Sequence, residues 1–272
     1  MGVTGIGDCL KEGRYLLHSL HRRAAYFVCG KSVISLVTSA AGNGPNHIVC
    51  SDSKPPRVRR IVVRRQVVEL DETAHLRCGK MTYVSKIPPP PGNHASVKKN
   101  LDALNRGLCA APPPGSMPAL ARNAACESGS FERLLAIRLA AGSRALREGD
   151  YHRGIGLLLG AGSGLTPSGD DFIAGFAAGL CFMHGPQAAG PRAILRSILR
   201  NAERTNLVSR TMLLFSCRGR VYERTKNLLI ALAGGSEEEV EHRALSLMET
   251  GHASGADFAY GLLCSLQDSI FG

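Results

Sequence analysis

A stretch near the middle of the chain recurs, without a gap, close to the C-terminus. Ser168-Gly169-Asp170-Asp171-Phe172-Ile173-Ala174-Gly175-Phe176 lines up on Ser254-Gly255-Ala256-Asp257-Phe258-Ala259-Tyr260-Gly261-Leu262. Each copy sets a serine, an aspartate three residues on, and a glycine four residues after that. On a helix the aspartate and the glycine share a face. The spacing therefore predicts two helices, with Ser168 and Ser254 as caps and Asp171 and Asp257 as their third-position acids. A mid-helix glycine costs about 1 kcal/mol relative to alanine. Because both copies carry one, a second helix or a ligand is expected to approach closely at Gly175 and Gly261. The two helices are expected to pack around an approximate local symmetry, with their capped ends converging. Ser-x-x-Asp before an apolar run is also an ordinary capping box, and that plainer role stays open, for the second copy above all.

The first copy is preceded by Gly160-Ala161-Gly162-Ser163-Gly164-Leu165-Thr166-Pro167. Capping alone does not call for three alternate glycines or for two adjacent acids, so this loop is read as a ligand loop running into a helix N-terminus. Unpaired N–H groups and the positive helix end favour a phosphate or carboxylate there. The acids impose a second condition. Asp170 and Asp171 repel an anion unless a cation, a protonated acid, or an amide or amine lies between. A ligand that joins an anionic group to an amide meets both conditions, and a Mg²⁺-bridged phosphate is the other solution. The candidate catalytic residues are thus Asp170 and Asp171. The candidate substrate-binding residues are Gly162, Gly164, Thr166, Ser168, Gly169, Ser254, Gly255 and Asp257, with Arg210 as a fixed positive charge or simply a surface arginine. No protein metal site is expected, and no cofactor, apart from Mg²⁺ under the phosphate alternative.

Three familiar mechanisms are excluded by residue. No Gly-x4-Gly-Lys-Ser/Thr phosphate loop is present. Pro167 interrupts the dinucleotide-binding Gly-x-Gly-x-x-Gly pattern. Thr166 and Asp170 stand where a nucleophile elbow around Ser168 needs glycine.

The nine cysteines are scattered and odd in number, with no CxxC pair, which points to free thiols in a reducing cytoplasm. No apolar run resembles a signal peptide or a membrane span, so a cytoplasmic protein is expected. The formal charge of +11 raises nucleic acid as a partner. The lack of tryptophan and of basic-aromatic interleaving counts against it, leaving a small anionic metabolite or an acidic partner subunit.

At 272 residues the chain is read as α+β in two halves. Residues 1–118 form a β-rich meander or small barrel, and residues 119–272 a compact α-helical domain. Residues 1–30 give little beyond a glycine-rich start and the pair His18 and His21, read as solvated. Strand texture follows at 32–37, 47–50 and 58–70, with Gly42-Asn43-Gly44-Pro45-Asn46 as a turn. Within it, Arg57-Val58-Arg59-Arg60-Ile61-Val62-Val63-Arg64-Arg65 reads as an edge strand guarded by charge, or else as a dock for an acidic partner or a phosphate-bearing ligand. Two proline clusters, at 88–91 and 112–114, enclose a helical piece at 96–108. Beyond 118 the period is helical. Phe131, Leu134, Leu135, Arg138, Leu139, Gly142 and Leu146 trace a mainly apolar stripe, and helices are expected at 169–183, 191–204, 206–217 and 220–233. Ser236-Glu237-Glu238-Glu239 opens one more, reaching Met248.

These motifs carry a resemblance. Gly162-x-Gly164-Leu165-Thr166-Pro167-Ser168-Gly169-Asp170-Asp171 with Gly175, then Thr205 to Ser209, then Gly251-His252-Ala253-Ser254-Gly255-Ala256-Asp257 with Gly261, resemble the AllH family. The family takes its name from a subunit of the heteromeric oxamate carbamoyltransferase of anaerobic allantoin breakdown. The resemblance covers the C-terminal half and, more loosely, 32–50 through Ser32 to Leu36 and Gly44-Pro45. It implies carbamoyl transfer between carbamoyl phosphate and oxamate, carried out with other subunits, and both ligands join an anionic group to an amide. The alternatives are a Mg²⁺-dependent phosphoryl-handling enzyme and a non-catalytic scaffold or regulatory subunit.

Overall fold

A computed structural model describes residues 2–64, 67–71, 74–77, 82–89, 94–122 and 130–271. Arg65, Cys78, Cys126 and residues 90–92 lie outside the described residues. The fold is α+β and consists of two compact units, one of Met1–Lys86 with Val221–Glu223, the other of Ile87–Arg220 with Arg224–Gly272. The division thus falls after Lys86, whereas the second proline cluster suggested 118. The helix between the proline clusters packs with the helical unit, against its ninth and tenth helices.

Among the described residues, the first unit is a nine-stranded sheet. Its strands are β1 (Val3–Gly7), β2 (Gly13–Leu20), β3 (Ala24–Cys29), β4 (Ser32–Thr38), β5 (His47–Cys50), β6 (Arg60–Arg64), β7 (Val67–Leu70), β8 (Ala74–Arg77) and β9 (Thr82–Tyr83). They lie in the order β8-β7-β6-β2-β3-β4-β5-β1-β9. Period-two alternation builds it: Tyr15, Phe27, Ile34, Leu36, Ile48, Ile61, Val63, Val68 and Leu70 point into one apolar core.

Three expectations change here. Residues 1–30, whose glycine-rich start reads as uninformative, supply three strands. The basic run is not an edge, because β6 pairs with β2 on one side and β7 on the other. Its arginines alternate with buried Ile61 and Val63, so a strand with one wet face explains the pattern. Finally, β5 runs parallel to β4, so residues 39–46 carry the chain back along β4 instead of reversing it as a hairpin turn would.

A short piece of the later chain completes this unit. Val221 N–H donates to the Ser85 carbonyl (2.9 Å) and its own carbonyl accepts from the Tyr83 hydroxyl (3.0 Å). Glu223 Oε2 accepts from the backbone N–H (2.7 Å) and the side-chain amide (3.0 Å) of Asn43.

The second unit holds α1 (His94–Ala110), α2 (Met117–Arg122), α3 (Ser130–Arg147), α4 (Tyr151–Leu158), α5 (Ser168–His184), α6 (Ala189–Asn201), α7 (Leu207–Cys217), α8 (Glu223–Gly234), α9 (Glu237–Met248) and α10 (Ser254–Phe271). α5 is buried from Gly169 to Met183, as a helix apolar on every side must be. Ser236 caps α9 by accepting from Glu239 N–H at 3.3 Å, as its capping box predicts. The α3 stripe divides: Leu139 and Leu146 are buried, while Phe131 and Leu134 are each 65% exposed. Among the described residues, no helix is long and apolar enough to cross a membrane.

Candidate functional site

The two repeat copies begin α5 and α10, and these helices run side by side in the same direction. Their starts meet where Thr166 Oγ1 and Ser254 Oγ lie 2.8 Å apart, and their far ends where His184 Nε2 and Ser269 Oγ lie 3.2 Å apart. A Cβ on Gly175 would overlap the carbonyl oxygen of Phe258, and a Cβ on Gly261 the carbonyl oxygen of Phe172. The relation is reciprocal, so the local symmetry expected from the repeat is built at backbone-to-backbone distance. Both mid-helix glycines serve helix packing.

The polar ends of the repeat are exchanged in the same way. The hydroxyls of Ser254 and Thr166 hydrogen-bond toward the Asp171 carboxyl, and Ser168 toward that of Asp257. Ser168 is therefore not the cap of its own helix. The N-cap position of α5 is Pro167, with no side-chain cap bond, and Ser168 is the first helical residue. The proline leaves no backbone donor at that position, and its carbonyl accepts from Asp170 N–H (2.9 Å) and Asp171 N–H (3.1 Å).

The glycine loop closes over this start. Gly160, Gly162 and Gly164 all have left-handed φ, at 70°, 130° and 90°. At Gly162 even an unstrained side chain is barred, because a Cβ would come within 2.6 Å of Ser168 N. Ala161 O accepts from Gly169 N–H at 2.9 Å, so the donors at 169–171 are held by the chain itself. Asp170 fastens the loop from below. It is fully buried, accepts from Gly160 N–H at 2.8 Å, and accepts from the Thr205 hydroxyl just ahead of α7. Burial raises its pKa and these bonds pull it back. Replacing Asp170 by alanine should leave the Gly160 N–H and the Thr205 hydroxyl without acceptors, at a cost of about 2–4 kcal/mol in denaturant unfolding. A change below about 0.5 kcal/mol would show that the loop does not depend on it.

Asp171 and Asp257 are both buried to 2% exposure or less. Burial holds Asp171 well above the usual carboxylate range, and the nearby Asp257 charge raises it further, against the Ser254 and Thr166 bonds. Burial pushes Asp257 up to about 6, against hydrogen bonds from Met117 N–H (2.5 Å) and Ser168. Among the described residues, one oxygen of each, Asp171 Oδ2 and Asp257 Oδ2, has no hydrogen-bond partner. Above them Thr166, Ser168 and Ser254 are half-buried, and Ser163 and Gly164 are exposed.

The geometry thus unites Thr166, Ser168, Asp171, Ser254 and Asp257, with Gly162, Gly169 and Gly255 as close-packed backbone and Gly164 on the open side. Arg210 stands on α7 with Nη1 3.1 Å from Glu203 Oε1, so its charge is engaged there. Met117 is the residue that sequence reasoning missed. It donates through its backbone N–H, which leaves no side-chain signature. No group of three or more metal-ligating side chains is found among the described residues.

These features define a helical unit whose duplicated Ser-Gly-x-Asp helix starts enclose a pair of buried acids. Residues 158–266, which span the glycine loop, both repeats and Thr205 to Ser209, match the family described as oxamate carbamoyltransferase subunit AllH. No match is found among curated proteins or among solved structures.

Proposed function

We propose that this chain serves as a subunit of a carbamoyltransferase and that the paired helix starts receive the amide end of a small anionic substrate, of the carbamoyl phosphate and oxamate type. One observation carries the reading: Asp171 and Asp257 each keep a buried oxygen without a partner. Burial and the neighbouring Asp257 charge favour the protonated form of Asp171, while Asp257 is raised less, to about 6. An amide offers a carbonyl acceptor to the first and an N–H donor to the second. Transfer to an amide nitrogen also requires that nitrogen to lose a proton, and a carboxylate within reach is a suitable acceptor. Thr166, Ser168 and Ser254 orient the two carboxyls, and Asp170 positions the loop. The family match over 158–266, with that family's described role as one subunit of an enzyme, supports other subunits as partners.

Calorimetric titration tests this, with carbamoyl phosphate, oxamate, inorganic phosphate and Mg-ATP as ligands of the wild type, Asp171→Asn and Asp257→Asn. Binding of an amide-bearing ligand that weakens at least tenfold in both variants is expected, roughly the loss of one charge-assisted hydrogen bond. Binding of Mg-ATP or of phosphate alone, unchanged in the variants, would replace this reading with phosphoryl handling. Silence from every ligand would assign the acid pair to helix packing.

A further inference from the structure

The two unpartnered acid oxygens, Asp171 Oδ2 and Asp257 Oδ2, are closed off from solvent. Thr166, Ser168 and Ser254 stand half-buried above their carboxyls. A ligand can reach the acids only if part of this cover moves. Ser168 and Ser254 open α5 and α10, which meet at backbone contact along Gly175 and Gly261, so neither serine moves without parting the helices. Thr166 belongs to the glycine loop, and that loop is fixed at its ends and loose between them. At its base Gly160 N–H donates to Asp170 Oδ1 (2.8 Å) and Ala161 O accepts from Gly169 N–H (2.9 Å). At its far end Pro167 O accepts from Asp170 N–H and Asp171 N–H. Among the described residues, no backbone N–H of 162–166 donates a hydrogen bond. Side chains tie this tip down instead. Asn206 Nδ2, ahead of α7, donates to the Leu165 carbonyl at 2.9 Å, and Thr166 Oγ1 lies 2.8 Å from Ser254 Oγ. Ser163 and Gly164 are exposed, and a Cβ on Gly164 would meet nothing within 4 Å. A segment with so few internal bonds opens at far lower cost than the helices beside it.

We propose that residues 162–166 form a lid over the acid pair, latched by Asn206, and that substrate enters when the contact between Thr166 and Ser254 parts. Closure behind the substrate returns the Thr166 hydroxyl toward Asp171. It also keeps water away from the bound amide, which strengthens the polar contacts made to it and suppresses hydrolysis. The substrate's passage, though not the movement itself, rests on the reading of the acid pair as the substrate site.

The accessibility of the carboxyls tests the lid: glycine ethyl ester is coupled to them with a carbodiimide, and the labelled residues are located by tandem mass spectrometry. Asn206→Asp keeps the oxygen that accepts from Val208 N–H and Ser209 N–H at the start of α7 but gives up the donor to Leu165. Labelling of Asp171 and Asp257 is expected to quicken about threefold to tenfold, the worth of one neutral hydrogen bond. Thr166→Cys with Ser254→Cys sets two thiols where the hydroxyls meet. Joining them with oxidised glutathione should slow labelling of both acids at least fivefold, and a reductant should restore it. Asp170, bound at the fixed base of the loop, is the control and should stay slow throughout. Equal labelling of the acid pair with the disulfide closed and open would overturn the lid. So would Asp170 rising in step with the pair, because the helix starts would then be unfolding together. The ligand titrations, repeated on the double-cysteine protein, separate the lid from the site reading. Gated labelling with silence from every ligand supports the lid and removes the amide reading, whereas ligand binding indifferent to the closed disulfide overturns the lid and leaves that reading in place.

Discussion

Replacing Gly175 by alanine is expected to destabilise the helical unit by about 3 kcal/mol, a fall in Tm on the order of 10 °C. The added methyl would overlap the carbonyl oxygen of Phe258. A backbone atom cannot swing aside as a side chain does, so α5 and α10 must separate along their length. Gly261→Ala meets the Phe172 carbonyl in the same manner and should cost a similar amount. The two together should cost less than their sum, because one separation relieves both overlaps. Gly190→Ala is the control. It lies in α6 with nothing within 4 Å of the new Cβ, and alanine's helix propensity should make it neutral or stabilising by up to about 1 kcal/mol. Thermal unfolding of the four proteins checks this. If Gly175→Ala behaved like Gly190→Ala, the close helix crossing would be wrong.

The second large effect is a dependence of stability on pH with two opposing parts. The folded pKa of Asp257 is raised to about 6, so between the ordinary carboxylate value near 4 and about 6 the folded state binds more protons than the unfolded chain. Stability from this group is full at the acid end and falls as pH rises, by about 3 kcal/mol. His47 acts in the opposite sense. Burial lowers its pKa to about 4, against hydrogen bonding to Gly42 O and the charge of Glu223, so its contribution is present above about 6.5 and is lost as pH falls toward 4, again by about 3 kcal/mol. In the wild type the raised Asp170 and Asp171 add to the Asp257 side, so the Asp257 part is isolated by substitution. Asp257→Asn keeps an acceptor for Met117 N–H and removes the titration, so its unfolding free energy should rise relative to wild type by about 3 kcal/mol between pH 4 and pH 6. It also removes the charge that helps hold Asp171 protonated, and the two acids titrate as a coupled pair. Chemical denaturation of both proteins at several pH values reads the difference directly. A difference that is flat across this interval would mean Asp257 is not desolvated as described.

The helical half was the legible half, and the reason is local. Helices α5, α7 and α9 announce themselves through periodicity and through residues such as Ser236 that cap within a few positions, and the repeat predicted that the two helix starts would converge. The exchange of serines was not legible. Ser168 lies three residues before Asp171, so a local capping box is the simplest reading, whereas its partner is Asp257 in another helix. The sheet was harder to read. Arg57 to Arg65 looks like a protected edge by charge alone, because sequence does not show that β2, far earlier in the chain, pairs with β6. At the N-terminus, Gly2, Gly5, Gly7 and Gly13 make the start look loose in sequence. Gly7 in fact passes against the carbonyls of Gly44 and Pro45, a long-range reason for a glycine that no window of sequence contains.

The tripeptide Val221–Glu223 sets an order of events during synthesis. It belongs to the sheet unit, binding Ser85, Tyr83 and Asn43, yet it is made after most of the helical unit. A ribosome that has released the first 86 residues has not yet supplied the carboxylate that holds the 42–46 loop. The strands, all within residues 3–83, can pair before then, but the 42–46 loop gains its carboxylate only once the chain beyond α7 has emerged, and a fragment ending at Lys86 would never gain it.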